Sequence, residues 1–407
     1  MRGMYTRIPA ASASAGLTPP AGRLSSRERV LTALDHREPD RVPYDFGGTF
    51  VTGSHHVAYR RLRDHLGLSA DVDMADVRLG LAWVGRDVRD LLGVDTGIVA
   101  TQPPDPASWH LEIRDAGEYL ELTDEYGMDW RQPKDAGLYF DLHRSPLADA
   151  QTPQDVARHP WPDPTDPHRF MRLRADCERV VFEEQRASAC KGIIPGTLEV
   201  SLWMRGFERF FMDLVLDPGM AGAILDKALE IKLRYWETVF GHIGDILDVV
   251  YDADDYGSQT APLIAPDLWR KMVKPRISEL YAFVHTNSRA KVFLHSDGAI
   301  RSLIPDLIEA GVDALNPVQF TAEGMDIVEL KLEFGREIVF WGGGVDTQKV
   351  LPWGTPEEVR EQVMRNVEAL MPGGGYIFAT VHNVQADVPP ENLVAMVEAL
   401  HEVGVYR

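Results

Sequence analysis

Five short apolar runs recur through the second half of the chain, and most of the intervals between them carry helical patterns, such as the one at 356–371. Alternation of strand and helix predicts parallel strands joined by right-handed crossovers. Such units either close into a barrel or spread into an open sheet, and their periodicity does not distinguish the two. The five runs are 246–250, 290–294, 312–315, 337–341 and 375–379.

Two further features favour the barrel. No GxGxxG fingerprint opens a helix, and nearly every apolar run is followed at once by polar residues or glycines. In β/α barrels the active site is built from the loops that follow the strands. We therefore predict that residues 245–385 form part of a (β/α)8 TIM barrel, an α/β fold, with a polar active site at these strand ends.

The length of 407 residues suits one large barrel, which we expect to form a single domain over 25–407. A helix-start pattern at 25–29 predicts an N-terminal helical extension, and the glycine-terminated stretch 41–48 is the candidate first strand. Residues 105–167 are dense in Pro, Asp and Trp and predict an irregular inserted lid or cap with small strands. Residues 1–24 indicate a disordered leader, with a transit peptide as the alternative.

Net charge and cysteine content restrict the partners and the compartment. A net charge of −20 would repel a nucleic acid or an anionic membrane over most of the surface, so we expect a small-molecule substrate. Cys177 and Cys190 are the only cysteines and lack CxxC or zinc-finger spacing, which favours a cytoplasmic protein without disulfides. No apolar run approaches the roughly 20 residues that span a bilayer.

Acidic and aromatic residues follow the run at 246–250. Asp254 and Asp255 are candidate acid/base groups at the barrel mouth, and Tyr256 beside them is a candidate substrate-binding residue. For either aspartate, a solvated acidic loop that caps the next helix is the alternative interpretation.

The sequence His295-Ser296-Asp297-Gly298 follows the run at 290–294. If strand geometry continues to Asp297, the two-residue spacing places the imidazole and the carboxylate on one face, both pointing into the barrel mouth. His295 is then a candidate acid/base group or metal ligand. A structural histidine hydrogen-bonded to a carboxylate is the alternative.

Neutral and acidic groups follow the next two runs. Asn316 and Gln319 offer donors and acceptors suited to orienting a substrate, although a rigid turn explains them nearly as well. Asp346 follows three glycines, which allow a ligand to approach the backbone closely, and it is a third candidate for substrate binding.

His382 follows the last run and contributes a second imidazole at the same end of the barrel. His295, Asp297 and His382 together match the three protein ligands of a catalytic zinc, with one position left for water or substrate. Histidines paired with a carboxylate also occur without a metal, and that alternative stays open.

From Arg27 to its C-terminus the chain resembles the uroporphyrinogen decarboxylase superfamily, which includes porphyrinogen decarboxylases and corrinoid-dependent methyltransferases. The resemblance implies a (β/α)8 barrel. The segments that carry it are 27–34 with 39–43, 124–127, 295–298 with 305–307, 311–317, and 373–375 with His382 and 389–392.

The chain departs from both branches of the superfamily at their functional motifs. The decarboxylases carry Arg-Gln-Ala-Gly-Arg after the first strand to bind the acidic side chains of the porphyrinogen, whereas the corresponding stretch 45–50 has no arginine. The methyltransferases carry a zinc site of the form His-x-Cys with a distant Cys. By the resemblance, the His matches His295, the first Cys falls on Asp297, and the distant Cys falls near His382.

The resemblance therefore implies a zinc-dependent enzyme that moves a methyl group between a small substrate and a corrinoid. Thiol methylation and demethylation of a methoxy or methylamine-type substrate both fit such a site. The chain has no Asp-x-His-x-x-Gly motif, so the corrinoid would be carried by a partner protein.

Two other hypotheses are kept beside this one. The second is a decarboxylase or lyase acting on a small acid, with Asp254 or Asp255 and His295 as acid/base groups. The third is a non-catalytic barrel that binds a ligand. Whether the chain works alone or as a homodimer stays open.

Overall fold

A computed structural model of the protein describes residues 17–20, 22–135 and 138–407. The leader expected at 1–24 lies largely outside these residues; within them, Leu17 is buried against the core. None of the helices in the described ranges is both long and apolar enough to cross a membrane.

Seven parallel strands form the central sheet. Each of the five predicted runs contributes one strand, which begins one to three residues later than the run. Before the strand that begins at Val249, the amide of Leu247 still donates to the carbonyl of Ile243 in the turn that follows the preceding helix, so Leu247 is not yet part of the strand. In spatial order the strands are Tyr376–Ile377, Val339–Trp341, Ala314–Asn316, Lys291–His295, Val249–Ala253, Ala187–Lys191 and Thr96–Val99.

The segment at 42–46 closes this sheet into a barrel. Tyr44 forms a parallel bridge with Phe378, just beyond the last strand of the chain. On the other side of the segment, the amide of Asp95 donates to the carbonyl of Tyr44 over 2.8 Å. The stretch predicted as the first barrel strand thus occupies the eighth position, and the (β/α)8 prediction is confirmed.

The helix Ser26–Leu34 lies across the amino-terminal end of the barrel. Ser25 and Glu28 form a reciprocal capping box at its start, as the helix-start pattern predicts. Its apolar side chains Val30 and Leu34 pack onto the residues that fill the barrel interior. Those interior residues are Ala187, Ala189, Val249, Tyr251, Phe293, Ala314, Val339, Trp341, Ile377 and Ala379.

The other helices follow the strands or belong to the inserted segments. The longest of them, Pro218–Ile243, is tied to a barrel strand by a buried ion pair in which Lys232 Nζ lies 2.5 Å from the carboxylate of Asp252. The remaining α-helices are His56–His65, Arg86–Leu92, Pro153–Arg158, Leu173–Glu178, Thr197–Arg205, Phe207–Leu216, Pro266–Met272, Lys274–Asn287, Ile304–Ala310, Ile327–Phe334, Val350–Trp353, Pro356–Leu370 and Pro390–Val403. Short 3₁₀ turns occupy Pro167–Phe170 and Arg301–Leu303, and a π-helical turn occupies Arg179–Glu183.

Two small antiparallel sheets lie outside the barrel. The inserted segment at 105–167 is more regular than its composition predicts, because four of its stretches pair across strands and satisfy their backbone groups. Its Trp130 packs edge-on against Trp203 of the helix Thr197–Arg205, at 5.1 Å between ring centroids. The four-stranded sheet is Arg114–Ala116, Tyr119–Thr123, Asp129–Pro133 and Asp141–Arg144, and the three-stranded sheet is Ser54–His55, Leu81–Ala82 and Met74–Asp76.

Candidate active site

A cavity of about 550 Å³ opens at the carboxyl ends of the barrel strands. The loops that follow the strands form much of its wall, which is where β/α barrels carry their active sites. Among the predicted site residues, those that line the cavity are Asp255, His295, Asp297, Gln319 and His382, whereas Asp254, Tyr256, Asn316 and Asp346 lie behind its wall.

His295 ends its strand, and its imidazole is held from behind by Asn316. The Nδ2 of Asn316 donates to the carbonyl of Trp341 over 2.7 Å. Because a carbonyl oxygen only accepts, this contact fixes the amide and presents Asn316 Oδ1 to His295 Nδ1 at 2.5 Å. Nδ1 therefore carries a hydrogen, and Nε2 is the nitrogen that faces the cavity.

The carboxylates of Asp297 and Asp255 and the imidazole of His382 lie in front of that nitrogen. The carboxylate of Asp297 lies 3.6 Å from His295 Nε2 and 3.7 Å from His382 Nε2, so one oxygen faces both imidazoles. Burial lowers the pKa of His295, but the charges of Asp297 and Asp255 outweigh it and raise the pKa to about 9. Burial acts in the opposite direction on Asp297, yet the facing imidazoles hold its pKa below the usual value.

His382 reaches the cluster from the loop after the last strand. Its backbone φ is 152°, a conformation that few side-chain-bearing residues adopt, and Thr380 Oγ1 donates to its carbonyl over 2.5 Å. The imidazole is about one-third exposed and its ring centroid lies 5.6 Å from that of His295. The structure thus brings together the two histidines that the sequence places 87 residues apart, on strand ends of one barrel.

Asp255 lies beside the cluster as a second carboxylate. Its Oδ1 accepts the backbone amide of Asp297 over 2.9 Å and lies 4.0 Å from His295 Nε2. Burial and the neighbouring charge of Asp297 raise the pKa of Asp255. This carboxyl group is therefore placed to exchange a proton with a group bound in the cavity.

Asp254 points away from the cavity and caps the helix Thr197–Arg205. Its two oxygens accept the backbone amides of Leu198 and Glu199, and the hydroxyl of Tyr256 donates to it over 3.0 Å. Burial is the main reason that the pKa of Asp254 rises to about 7. These contacts make Asp254 and Tyr256 a buried support for the wall. Asp254 caps a helix, but that helix precedes it in the chain, and the carboxylate is buried rather than part of the solvated loop that the alternative predicts.

Gln319 and Asp346 take different positions. Gln319 lines the cavity, and its Oε1 accepts the amide of Gly298 over 2.7 Å. Gly298 has a φ of 91°, and a Cβ there would lie 2.4 Å from the backbone of Gly257, so only glycine fits this turn. Asp346 is buried and accepts the amide of Gln348, while Gln348 itself lines the cavity.

Four charged cavity residues escape the sequence patterns: Asp76, Arg78, Lys191 and Glu199. Arg78 comes from the turn before the short strand Leu81–Ala82, and Glu199 comes from the first turn of a helix. Lys191 ends the strand Ala187–Lys191, whose small residues do not form the apolar run that revealed the other strands. A search for charged residues after short strands of small side chains would have found Lys191.

The cluster of His295, Asp297 and His382 suits a metal ion. Each residue offers one ligand atom, and the three atoms lie within 4.8 Å of one another. Ligand atoms about 2 Å from a tetrahedral ion lie about 3.3 Å apart, so the widest separation in the cluster would shrink by about 1.5 Å when an ion binds. The carboxylates that raise the pKa of His295 also stabilise a bound cation, and Asn316 orients the ring as partners behind metal-binding histidines commonly do.

The uroporphyrinogen decarboxylase (URO-D) family model matches residues 133–403, which is more than half of the chain. This protein belongs to the uroporphyrinogen decarboxylase family. The resemblance seen in its motifs is thereby confirmed, and with it membership of an enzyme family.

Individual relatives are distant. A uroporphyrinogen decarboxylase from Magnetococcus marinus is 22% identical over 295 residues, covering 71% of this chain and 77% of that protein. Another from Pseudomonas fluorescens is 24% identical over 282 residues, covering 66% and 74%. The structure of a methyltransferase from Methanosarcina mazei matches with a TM-score of 0.63 at 16% identity, covering 93% of this chain and 99% of that one, which shows a shared fold.

Proposed function

We propose that this family member is a metal-dependent methyltransferase that moves a methyl group between a small substrate and a corrinoid carried by a partner protein. The observation that carries the proposal is the cluster of His295, Asp297 and His382, whose ligand atoms converge at the cavity. The cluster retains a metal-ligand pattern, whereas the stretch 45–50 lacks the arginines that would bind a porphyrinogen. The shared fold with a methyltransferase from Methanosarcina mazei is in accord with this choice.

The residues of the chain have distinct tasks in this proposal. His295, Asp297 and His382 would hold the ion, which when bound supplies Lewis acidity toward a substrate heteroatom. Asn316 keeps His295 Nε2 pointed at the cavity. Asp255 exchanges a proton with the substrate heteroatom, because its carboxyl group has a raised pKa and lines the same cavity.

Metal content tests the proposal directly. We expect about one zinc per chain in protein purified without chelators, and less than about a tenth of that in His295→Ala, Asp297→Asn and His382→Ala, because each variant removes one of three ligands. Elemental analysis by mass spectrometry measures the zinc content of each protein. His285→Ala is the matched control, since His285 also pairs with an aspartate, Asp313, but lies outside the cavity.

Methyl transfer is then assayed with free methylcobalamin as donor to a thiol, and with free cob(I)alamin as acceptor from a methoxy or methylated amine substrate. Wild-type protein that holds no stoichiometric metal would contradict the proposal.

The alternative, decarboxylation of a small acid, is favoured by Arg78 and Lys191 in the cavity, which suit a carboxylate. Release of carbon dioxide that persists after removal of metal by a chelator would identify that activity.

A further inference from the structure

Two cations, Arg78 and Lys191, line the cavity that holds the histidine cluster. They come from different parts of the chain, one from the small sheet outside the barrel and the other from the end of a barrel strand. Burial lowers the pKa of Lys191, the charge of Asp76 acts against that effect, and the charge of Arg78 lowers the pKa further. Bringing two like charges into one cavity costs stability unless an anion joins them.

Neither side chain has an ion pair that neutralises it among the described residues. The guanidinium of Arg78 lies over the rings of Trp130 and Trp203, at 4.3 and 4.7 Å from their centroids. The ammonium of Lys191 lies 4.3 Å above the ring of Phe50. Aromatic faces attract a cation without using its hydrogen-bond donors, so the donor edge of a stacked guanidinium stays available to a ligand.

Two acidic residues, Asp76 and Glu199, line the cavity near these cations. The Oδ1 of Asp76 accepts the backbone amide of Leu79 over 2.9 Å. Burial, together with the charges of Asp255 and Asp254, raises the pKa of Glu199 well above its usual value, which favours its protonated form. Asp76 therefore offsets part of the charge of Lys191, whereas the stacked guanidinium of Arg78 forms no ion pair among the described residues.

Apolar and aromatic side chains line the cavity together with these charged groups. The volume of about 550 Å³ is in the range of sites for small organic ligands. Arg78, Lys191, Glu199 and His295 all line this one cavity. The apolar side chains of the wall include Phe50, Val51, Tyr139, Ile194, Trp203 and Tyr251.

We propose that Arg78 and Lys191 form a binding site for the carboxylate of a small substrate with an apolar or aromatic body, whose reacting end lies at the histidine cluster. The inference rests on the proposed function only for the identity of that reacting end. It assigns a substrate class: organic monoanions. The stretch 45–50 lacks the arginines that bind carboxylates in the decarboxylases, and Arg78 and Lys191 would bind the carboxylate instead.

Benzoate and its neutral analogue benzamide test the proposal on the full-length protein by titration calorimetry. We expect benzoate to bind at least about tenfold more tightly than benzamide, because only the anion forms charge-assisted hydrogen bonds. Arg78→Met and Lys191→Met each reduce benzoate affinity about tenfold or more and leave benzamide affinity within about twofold. Arg78→Lys keeps a cation and part of the preference, which separates loss of charge from loss of folding.

Arg131→Met is the matched control. Arg131 also lies over an aromatic ring, that of Tyr119 at 4.7 Å, but it pairs with Glu121 and does not line the cavity. Equal affinity for benzoate and benzamide, or a preference unchanged in Arg78→Met, would overturn the inference. Tighter binding of benzenesulfonate than of benzoate would overturn the carboxylate assignment.

The two proposals fail in different ways. Metal content is measured on the same Arg78→Met protein and should match the wild type, because Arg78 lies outside the histidine cluster. If benzoate preference persists in protein that never holds metal, the methyltransferase proposal fails and this inference stands. If metal and methyl transfer are present without any preference for the anion, the reverse holds.

Discussion

At the scale of single residues, Asn316 decides what His295 can do. It was expected to contact the substrate, but it lies behind the cavity wall and determines the position of the hydrogen on the imidazole instead. Its amide is fixed because Nδ2 faces a carbonyl, that of Trp341. A residue that touches no ligand thus selects which nitrogen of His295 is presented to one.

Replacing Asn316 tests this role. In Asn316→Ala the imidazole loses its acceptor, and we expect metal affinity to fall about 10- to 100-fold, as for other partners behind metal-binding histidines. Competition with a chromophoric chelator measures the affinity. Asn316→Asp retains an acceptor for Nδ1 and loses only the donor to Trp341, so it should keep more affinity than Asn316→Ala. Equal losses in the two variants would argue against an orienting role.

At the scale of elements, the two-residue period of a strand sorts the acidic residues after 249. Val249 and Tyr251 point into the barrel, and Asp255 continues their side of the chain into the cavity. Asp252 and Asp254 fall on the other side, where one meets Lys232 and the other caps a helix. The same two-residue alternation along the next strand turns the side chains of Phe293, His295 and Asp297 toward the inside of the barrel.

The buried pair of Lys232 and Asp252 ties the longest helix to this strand. Lys232→Met leaves Asp252 buried without a cation, with the hydroxyl of Tyr281 and the backbone amide of Ala253 as its hydrogen-bond donors, so we expect a loss of about 3–5 kcal/mol in the free energy of unfolding. Lys227→Met on the same helix removes the more exposed pair with Glu230 and should cost no more than about 1 kcal/mol. Urea unfolding followed by circular dichroism compares them, and similar losses would refute the distinction.

This alternation of side chains also explains how much of the site could be predicted from the sequence. His295, Asp297 and His382 were found because they follow runs whose apolar character marks them as strands. Asp254 and Asp255 could not be separated, because the strand ends at Ala253 and the alternation that distinguishes them depends on an extended loop. Arg78 could not be placed at all, since only the three-dimensional position of a small outer sheet brings it to the cavity.

At the scale of the whole molecule, the two ends of the barrel have different contents. The carboxyl ends of the strands hold the cavity, whereas the amino ends hold a network of ion pairs around the seam where the segment 42–46 closes the barrel. There Asp95 accepts from both Arg29 and Arg41, and Arg29 also pairs with Asp40. The superfamily motifs at 27–34 and 39–43 therefore support the closure of the barrel.

Asp40 makes this closure sensitive to acid. Burial acts against its charge, but hydrogen bonds from Arg29 and from the backbone lower its pKa to about 2. Since that value lies below the ordinary 3.8, the stabilisation is fully present above pH 3.8 and is lost as the pH falls through about 2. Asp40→Asn should cost about 2 kcal/mol near neutral pH, and the difference from wild type should shrink in acid.

Urea unfolding of the two proteins between pH 3 and pH 7 measures that difference. Asp35→Asn serves as the control, because Asp35 is exposed and its pair with Arg37 lies at the surface. A difference between wild type and Asp40→Asn that stays constant down to pH 3 would contradict the assignment.

The position of Arg78 on an outer sheet, separate from the strand ends that carry His295, Asp297 and His382, has a consequence for how such an enzyme diversifies. Under the proposed roles, substitutions in the turn around Arg78 would change which molecules bind without altering His295, Asp297 and His382. Selection can therefore alter specificity and chemistry in separate steps. A library randomised only near residue 78 is the natural starting point for laboratory evolution of this protein toward new substrates.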